Sequence, residues 1–92
     1  MPAVIVRVPG PLRVHAAGAA EIAFEADILG DVLDALARDY PALAQRVLTP
    51  EGEVRAFVNV FVGDRNMNAL GGRATRLKPD QVVSILPAVA GG

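Results

Sequence analysis

The most informative absence in this 92-residue sequence is cysteine, which does not occur at all. Without a thiol the chain forms no disulfide, no zinc–thiolate site and no iron–sulfur cluster, and it has no cysteine nucleophile. Histidine is almost as scarce, because His15 is the only one. The residues around it do not supply the partners that a general base or a metal ligand normally needs. We therefore interpret His15 as a surface residue and expect no metal site.

Long apolar runs and a strong net charge are also missing. No run approaches the roughly 20 residues of a membrane span, and the N-terminus lacks the pattern of a signal peptide, so we expect a soluble cytoplasmic protein without a membrane partner. The formal net charge of -1 argues against nucleic-acid binding. Residues 1–54 carry eight acids and four bases, whereas residues 55–92 carry two acids and five bases. The second half either attracts an acidic partner or is an ordinary mixed surface.

The length of 92 residues is enough for one domain, which buries roughly 60 to 70% of the surface of its unfolded chain. Alternation of apolar and polar residues predicts the strands of a sheet with one buried face. The predicted strands are residues 3–8, 21–25, 54–62 and 82–86, with a short edge strand at 74–77. Residues 12–20 have no clear period and are predicted to form a loose connection.

One amphipathic helix is predicted over residues 29–40, where leucines recur at helical spacing. Asp31 is its predicted N-cap and Asp34 lies in its first turn, where negative charge suits the helix dipole. Pro41 ends the helix, and another helical turn follows up to residue 48. A catalytic pair of carboxylates is the alternative role for the two aspartates, but capping and the dipole explain them better.

The strand predicted at residues 54–62 has two unlike faces. Its valines, with Ala56, point toward the helix, while the opposite face carries Arg55, Phe57, Asn59 and Phe61. A sheet face that exposes two phenylalanines is either a docking patch for a partner or is covered by neighbouring loops. Both interpretations remain open from the sequence.

The last eleven residues combine a buried strand with a thread of small residues. Val83 and Ile85 are predicted to point inward and Ser84 and Leu86 outward. Pairing ends near Pro87, because proline has no N–H to donate. The following residues extend at most about 17 Å and carry no charged or bulky side chain, which suits entry into a narrow channel of another protein. A frayed terminus or a terminal Gly-Gly appended by cloning is the plainer alternative. The thread is Ala88, Val89, Ala90, Gly91 and Gly92.

The order strand, strand, helix, strand, short strand, strand and Gly-Gly resembles the ubiquitin-like β-grasp fold of the ThiS/MoaD family of sulfur carriers. The tail from Ile85 to Gly92 is the most specific part of the resemblance. Residues 57–64, followed by Gly71-Gly72-Arg73-Ala74-Thr75, look more like the carriers of thiocarboxylate-dependent cysteine synthesis than like other branches. The resemblance implies an α+β fold, with a mixed sheet of four to five strands packed on one main helix. Residues 1–87 form the domain and residues 88–92 a flexible carrier tail.

The same resemblance implies a carrier that binds no cofactor of its own and has no catalytic side chain. An E1-like adenylyltransferase/sulfurtransferase of the MoeB/ThiF type uses ATP and Mg to adenylate the Gly92 carboxylate, which then becomes a thiocarboxylate. Gly91, Ala90, Val89 and Ala88 enter the channel of the partner. Leu86 maps onto the family's docking patch, and strand alternation adds the outward residues Phe57, Phe61 and Ile5. Arg73 stands where an apolar residue is expected, which weakens the predicted strand at 74–77.

Three functions remain in view. The first is a sulfur carrier feeding a cysteine-synthase-like enzyme, with a JAMM-type protease as a further partner. The second is the small subunit of a molybdopterin synthase, bound to the large subunit. The third is a ubiquitin-like modifier whose Gly92 is joined to lysines of other proteins. Lys78 is the only lysine in this chain, which argues weakly against chains built on itself.

Overall fold

The fold is built on a single mixed sheet of five strands. The computed structural model describes residues 2–87 of the chain. The strand order across the sheet is β2-β1-β5-β3-β4. The last strand of the sequence, β5, is therefore central, parallel to β1 and antiparallel to β3. The strands are β1 (Ala3–Arg7), β2 (Glu21–Glu25), β3 (Val58–Val62), β4 (Arg65–Asn66) and β5 (Val82–Pro87).

The helices α1 (Leu29–Asp39) and α2 (Pro41–Val47) supply the other half of the core. The predicted inward side chains of β1 and β5 are buried, as are Leu29, Leu33 and Leu36 of α1, because alternation in strands and the helical period both turn apolar residues to one side. A mixed sheet with one main helix is therefore confirmed. Neither α-helix within residues 2–87 is long and apolar enough to cross a membrane.

The predicted loose connection between β1 and β2 is wrong, because a 3₁₀ helix spans Gly10–Ala16. Pro11 stands in its first turn, where a fixed φ near -65° is favourable. The helix ends in a left-handed residue, Ala17, and the Gly18 N–H donates to the Arg13 carbonyl at 2.8 Å. Only Ala16 of this helix is fully buried, so its sequence shows no hydrophobic period.

The predicted strand over residues 54–62 is confirmed only in its second half, as β3. Val54 instead forms an isolated bridge with Leu48, and Ala56, predicted to face the helix, is exposed. Within the described residues the ladder with β5 reaches Pro87, the partner of Val58, and the Val58 N–H also donates to the Arg55 carbonyl, which closes a turn before β3. Phe57 consequently lies in a turn rather than in the strand.

The edge strand predicted at residues 74–77 is also wrong. A 3₁₀ turn occupies Gly72–Ala74, and the edge strand is β4, which follows β3 directly through the tight turn at Gly63. Gly63 has a φ of +63°, the sign that two-residue hairpin turns require at this position. The Leu77 N–H donates to Asp27 instead of to the sheet, because this segment packs beside the start of α1.

Helix α1 begins without the predicted aspartate cap. Ile28 is the N-cap residue and makes no side-chain capping bond, whereas Asp31 lies inside the first turn. The first free N–H group, on Leu29, donates to the Thr75 carbonyl at 2.9 Å. A backbone carbonyl from a distant segment thus takes the role that a side chain often has at helix N-termini.

The hydrogen bonds of Arg73 explain why a charged residue occurs in this segment, where an apolar one was expected. Its Nη1 donates to the Gly52 carbonyl at 2.8 Å, and its Nη2 donates to the Gly30 carbonyl and, at 2.6 Å, to the Asp34 carboxylate. A Cβ at Gly30 would lie 3.1 Å from the Arg73 carbonyl oxygen, so glycine permits this close approach. The predicted first-turn residue Asp34 is thus a partner of Arg73.

Neighbouring residues of β5 provide a matched test of the fold. Ile85 is 2% exposed and Leu86 is 46% exposed. We expect Ile85→Ala to lower the free energy of unfolding by about 2 to 4 kcal/mol, since it leaves a cavity in the core, and Leu86→Ala to cost less than about 1 kcal/mol. Urea titration at equilibrium measures both. Equal losses in the two variants would contradict the assigned faces of β5.

Candidate functional site

The candidate site is built on the sheet face turned away from the helices, which we call the outer face. It consists of the outward residues of the three central strands together with the turn before β3. The register places Leu86 opposite Asn59, Ser84 opposite Phe61 on one side and Arg7 on the other, and Val82 opposite Ile5. This face ends where β5 ends, so it leads directly to the start of the C-terminal tail.

Leu86 and Phe57 are the most exposed members of the predicted patch within residues 2–87. Leu86 is 46% exposed and Phe57 is 54% exposed. Phe57 directly precedes Val58, the partner of Pro87, so both side chains stand beside the last described residue of β5. Large apolar side chains that are about half exposed at one edge of a domain are suited to contact with a partner protein.

Ile5 and Phe61, the other predicted patch residues, are half-buried. They lie farther from the end of β5, on either side of it, and continue the apolar surface across the centre of the sheet. Ser84 lies between Phe61 and Arg7 in the register, so the centre of this surface carries a small hydroxyl side chain. Val82 and Ser84 also lie on this face, as their period-two spacing from Leu86 indicates, although neither is among the predicted patch residues.

Polar groups border the apolar surface on both sides. Toward β2, the Arg7 Nε lies 3.5 Å from the Glu21 carboxylate. Both side chains are largely exposed, so the pair contributes less than about 1 kcal/mol. Toward β4, the Asn66 amide donates to the Asn59 side-chain oxygen at 3.3 Å. An apolar centre with a polar rim is the usual anatomy of a protein–protein contact surface.

The remaining titratable groups form no comparable site in the described part of the chain. Among residues 2–87 no group of three His, Asp or Glu side chains is placed to hold a metal ion. His15 lies half-buried in the first 3₁₀ helix. At the end of α1, hydrogen bonding to the Arg38 guanidinium lowers the pKa of the exposed Asp39 carboxyl. Asp31 is exposed, while Asp34 is engaged by Arg73.

The predicted covalent site and thread lie outside the described residues. These are Gly92, Gly91, Ala90, Val89 and Ala88, and they remain predictions. The described part of β5 reaches Pro87, with Leu86 on the outer face and Val58 across the ladder.

Comparison with known proteins agrees with this geometry. The sequence profile of the ThiS family matches residues 6–92. The chain belongs to the ThiS family. It is 37% identical over 91 residues to the sulfur carrier protein CysO of Mycobacterium tuberculosis, a match that covers 97% of this chain and 98% of the relative.

Two further relatives complete the comparison. Small archaeal modifier protein 3 of Haloferax volcanii is 44% identical over 64 residues, covering 70% of this chain and 68% of the relative. Among solved structures, the crystal structure of the BexX/CysO complex of Amycolatopsis orientalis contains a chain that matches with a TM-score of 0.86. That match has 29% identity and covers 97% of this chain and 99% of the other. The predicted β-grasp fold, the family and the likeness to its cysteine-type branch are confirmed.

Proposed function

We propose that this protein is a sulfur carrier whose functional group is the Gly92 carboxylate. The proposal rests on the position of the end of β5 in the sheet. A strand held on both edges in the centre of the sheet leads at Pro87 into five small uncharged residues, next to an exposed apolar surface. Near full-length similarity to CysO supports the carrier function. The chain serves partner enzymes as a co-substrate and performs no catalysis itself.

The chemistry proceeds in two steps on partner enzymes. A carboxylate is a poor electrophile, so a Gly92 oxygen first attacks the α-phosphorus of ATP on an E1-like enzyme and pyrophosphate leaves. A donor then supplies sulfide, which attacks the acyl carbon and displaces AMP, so that the C–O bond of the adenylate is replaced by the C–S bond of a thiocarboxylate. This group carries sulfide in a protected yet nucleophilic form. The sequence contains no cysteine, so no side-chain thiol of this chain carries the sulfur.

The outer face is the proposed docking surface for the E1-like partner. Leu86 and Phe57 are placed to contact that enzyme first, because they are exposed and border the tail. Ile5 and Phe61 extend the contact across the sheet. The residues after Pro87 then enter the active-site channel, where Gly91 and Gly92 permit close approach of the channel wall to the backbone.

The destination of the sulfur is the finer part of the proposal. Similarity to CysO favours an acceptor enzyme of the cysteine-synthase type, and the complex of the Amycolatopsis CysO with BexX is an instance of a carrier of this type held by a partner. A molybdopterin-synthase large subunit is the alternative acceptor. After the thiocarboxylate has attacked the acceptor, the Gly92 carbonyl is bonded to the product, and a JAMM-type protease is proposed to hydrolyse that acyl bond, which frees the product and restores the carboxylate.

A second candidate function is conjugation to other proteins. The specific observation in its favour is the 44% identity to small archaeal modifier protein 3 over 64 residues. In that function an amine replaces sulfur as the nucleophile, and Gly92 ends in an isopeptide bond. Activation of the carboxylate is common to both functions, so the product distinguishes them.

Intact-mass measurement of the protein from its native host tests the carrier function. We expect a fraction with one carboxylate oxygen replaced by sulfur, which reverts when the thiocarboxylate is hydrolysed. Tandem mass spectrometry locates the change at the last residue. Detection of lysine-linked adducts alone, with the unmodified protein, would show that the chain is a modifier and contradict the carrier proposal.

Removal of Gly92 separates the role of the terminus from the fold. We expect a protein ending at Gly91 to unfold at the same urea concentration as the full chain, because the core lies within residues 2–87, and to form no thiocarboxylate with the E1-like enzyme and a sulfur donor. Mass spectrometry of the reaction measures the product. Full sulfur loading of the shortened protein would refute the assignment to Gly92.

Leu86→Asp tests the docking surface. A carboxylate in an apolar interface must be desolvated without a partner, so we expect kcat/KM for adenylation to fall roughly tenfold or more. Val14→Asp is the matched control, because Val14 is 76% exposed and lies in the first 3₁₀ helix rather than on the outer face. Unchanged kinetics for Leu86→Asp, or an equal loss in both variants, would remove Leu86 from the interface.

A further inference from the structure

The free edge of the sheet at β2 lies beside an open cleft. Strand β2 stands at one end of the strand order, so within residues 2–87 only β1 pairs with it. A cleft with a volume of about 450 Å³ lies at this edge, beside the second half of α1. The opposite edge strand, β4, has only two residues, whereas β2 has five. The β2 edge is therefore the longer of the two edges at which another chain can pair.

The register of the ladder with β1 shows which backbone groups of β2 are left unpaired. Just before β2, the Ala20 carbonyl accepts a hydrogen bond from the Val8 N–H at 2.8 Å. The residues that bond to the partner alternate along an antiparallel strand, so the even-numbered residues of β2 face β1. The backbone N–H and C=O groups that point away from β1, and have no partner in the described part of the chain, are those of Glu21, Ala23 and Glu25.

The cleft provides an apolar surface next to these backbone groups. The buried ring of Phe24 lines it and meets the ring of Tyr40 edge to face, with 6.3 Å between the ring centroids, which holds Phe24 in place. Half-buried Ala35 of α1 also lines it. Successive side chains of a strand point to opposite faces of a sheet. Alternate residues of a strand added beside β2 can therefore bury apolar side chains in the cleft, while the others lie on the outer face.

Charges on the outer-face side of β2 determine which strand fits. Glu21 and Glu25 point to this side and are exposed, because the residues between them that point inward are buried. Glu21 has the Arg7 guanidinium at 3.5 Å, and at the end of α1 Arg38 is paired with Asp39. Glu25 takes part in none of the ion pairs found within residues 2–87. The edge therefore has an uncompensated negative charge at Glu25.

This charge pattern excludes a second copy of the chain and favours a basic strand. If two β2 strands paired antiparallel about Ala23, Glu21 of each copy would face Glu25 of the other, and like charges directly opposite destabilise a strand pair. A cation at the same position gives attraction instead. We propose that the β2 edge binds an extended segment of another protein as a sixth strand, with a lysine or arginine opposite Glu25 and apolar side chains in the cleft.

The proposed strand site is separate from the docking surface for the E1-like enzyme. Neighbouring strands are about 4.8 Å apart, so an added strand lies roughly 14 Å from β5, with β1 and β2 between them. Leu86 and Phe57 consequently remain accessible when the edge is occupied. Binding at the edge does not depend on the sulfur-carrier function, and it can be measured without any enzyme.

A synthetic peptide tests the site directly. The probe is Thr-Lys-Val-Val-Val-Lys-Thr, acetylated and amidated, whose lysines face Glu21 and Glu25 when its central valine faces Ala23. The peptide is titrated into the isotope-labelled full chain and followed by nuclear magnetic resonance. We expect the amide signals of these three residues to shift downfield and their exchange with solvent to slow, because their N–H groups gain acceptors. Absence of these changes at millimolar peptide would overturn the proposal.

Two altered peptides separate strand pairing from attraction by charge alone. Methylation of the backbone nitrogen of the central valine removes a hydrogen-bond donor and leaves both lysines in place, so we expect the affinity to fall about tenfold or more. Replacement of both lysines by glutamate places like charges opposite one another, and we expect no binding. Equal affinity of the methylated and unmethylated peptides would show that charge alone attracts them and would overturn the added strand.

Glu25→Gln tests the preference for a cation. Glutamine keeps the size of the side chain and removes its charge, so we expect the Kd of the lysine peptide to rise about two- to fivefold. Glu51→Gln is the matched control, because Glu51 is exposed in the loop before β3 and its replacement removes the same charge. An equal rise in both variants would show long-range attraction only and would overturn the contact with Glu25.

Glu25→Lys tests the exclusion of a second copy. The introduced lysine of each copy then faces Glu21 of the other, so the edge becomes complementary to itself. We expect translational diffusion of this variant to slow as protein concentration rises, and that of Glu51→Lys, which has the same net charge, to stay constant. Equal behaviour of the two variants would overturn the role of Glu25 in excluding a second copy. Self-association of the wild-type chain through β2 would make a second copy the occupant and overturn the proposal.

Discussion

The ladder of β5 is the constraint on which the rest of this structure depends. The strand is paired with β1 on one edge and β3 on the other, and its inward residues Val83 and Ile85 are buried. Pro87, the last described residue of β5, can donate no hydrogen bond to the ladder. Because β5 is paired on both edges, the described part of the chain finishes in the centre of the sheet rather than at its border.

The two faces of the sheet make different contacts. On the helix side, Arg73 joins α1, the loop at Gly52 and the 3₁₀ turn before β5 through three hydrogen bonds, and Thr75 completes the start of α1. These contacts join segments that are far apart in the sequence, so they contribute to stability. None of them involves the outer face, which is the proposed docking surface.

Strand alternation predicts the sheet face on which a residue of the candidate site lies, but not how exposed its side chain is. Alternation placed Leu86, Phe61 and Ile5 on the outer face, and the register of β1, β3 and β5 agrees. It could not show that Leu86 is nearly half exposed while Ile5 and Phe61 are half-buried, because exposure depends on neighbouring strands. Phe57 was predicted in a strand but lies in the turn that the Val58 N–H closes by donating to the Arg55 carbonyl.

What the sequence by itself determined is set by local chemistry. Periodicity decides which side of a strand or helix is apolar, proline decides where a ladder or helix stops, and the absence of cysteine excludes thiol chemistry. What only the tertiary structure decided is set by hydrogen bonds between segments far apart in the chain. The Thr75 carbonyl caps α1 in place of Asp31, β4 forms at Arg65–Asn66 instead of at residues 74–77, and β3 begins only at Val58. In each case the hydrogen-bond partner of a backbone group comes from a segment that the packing of the other elements places beside it. Such a partner cannot be read from the local sequence.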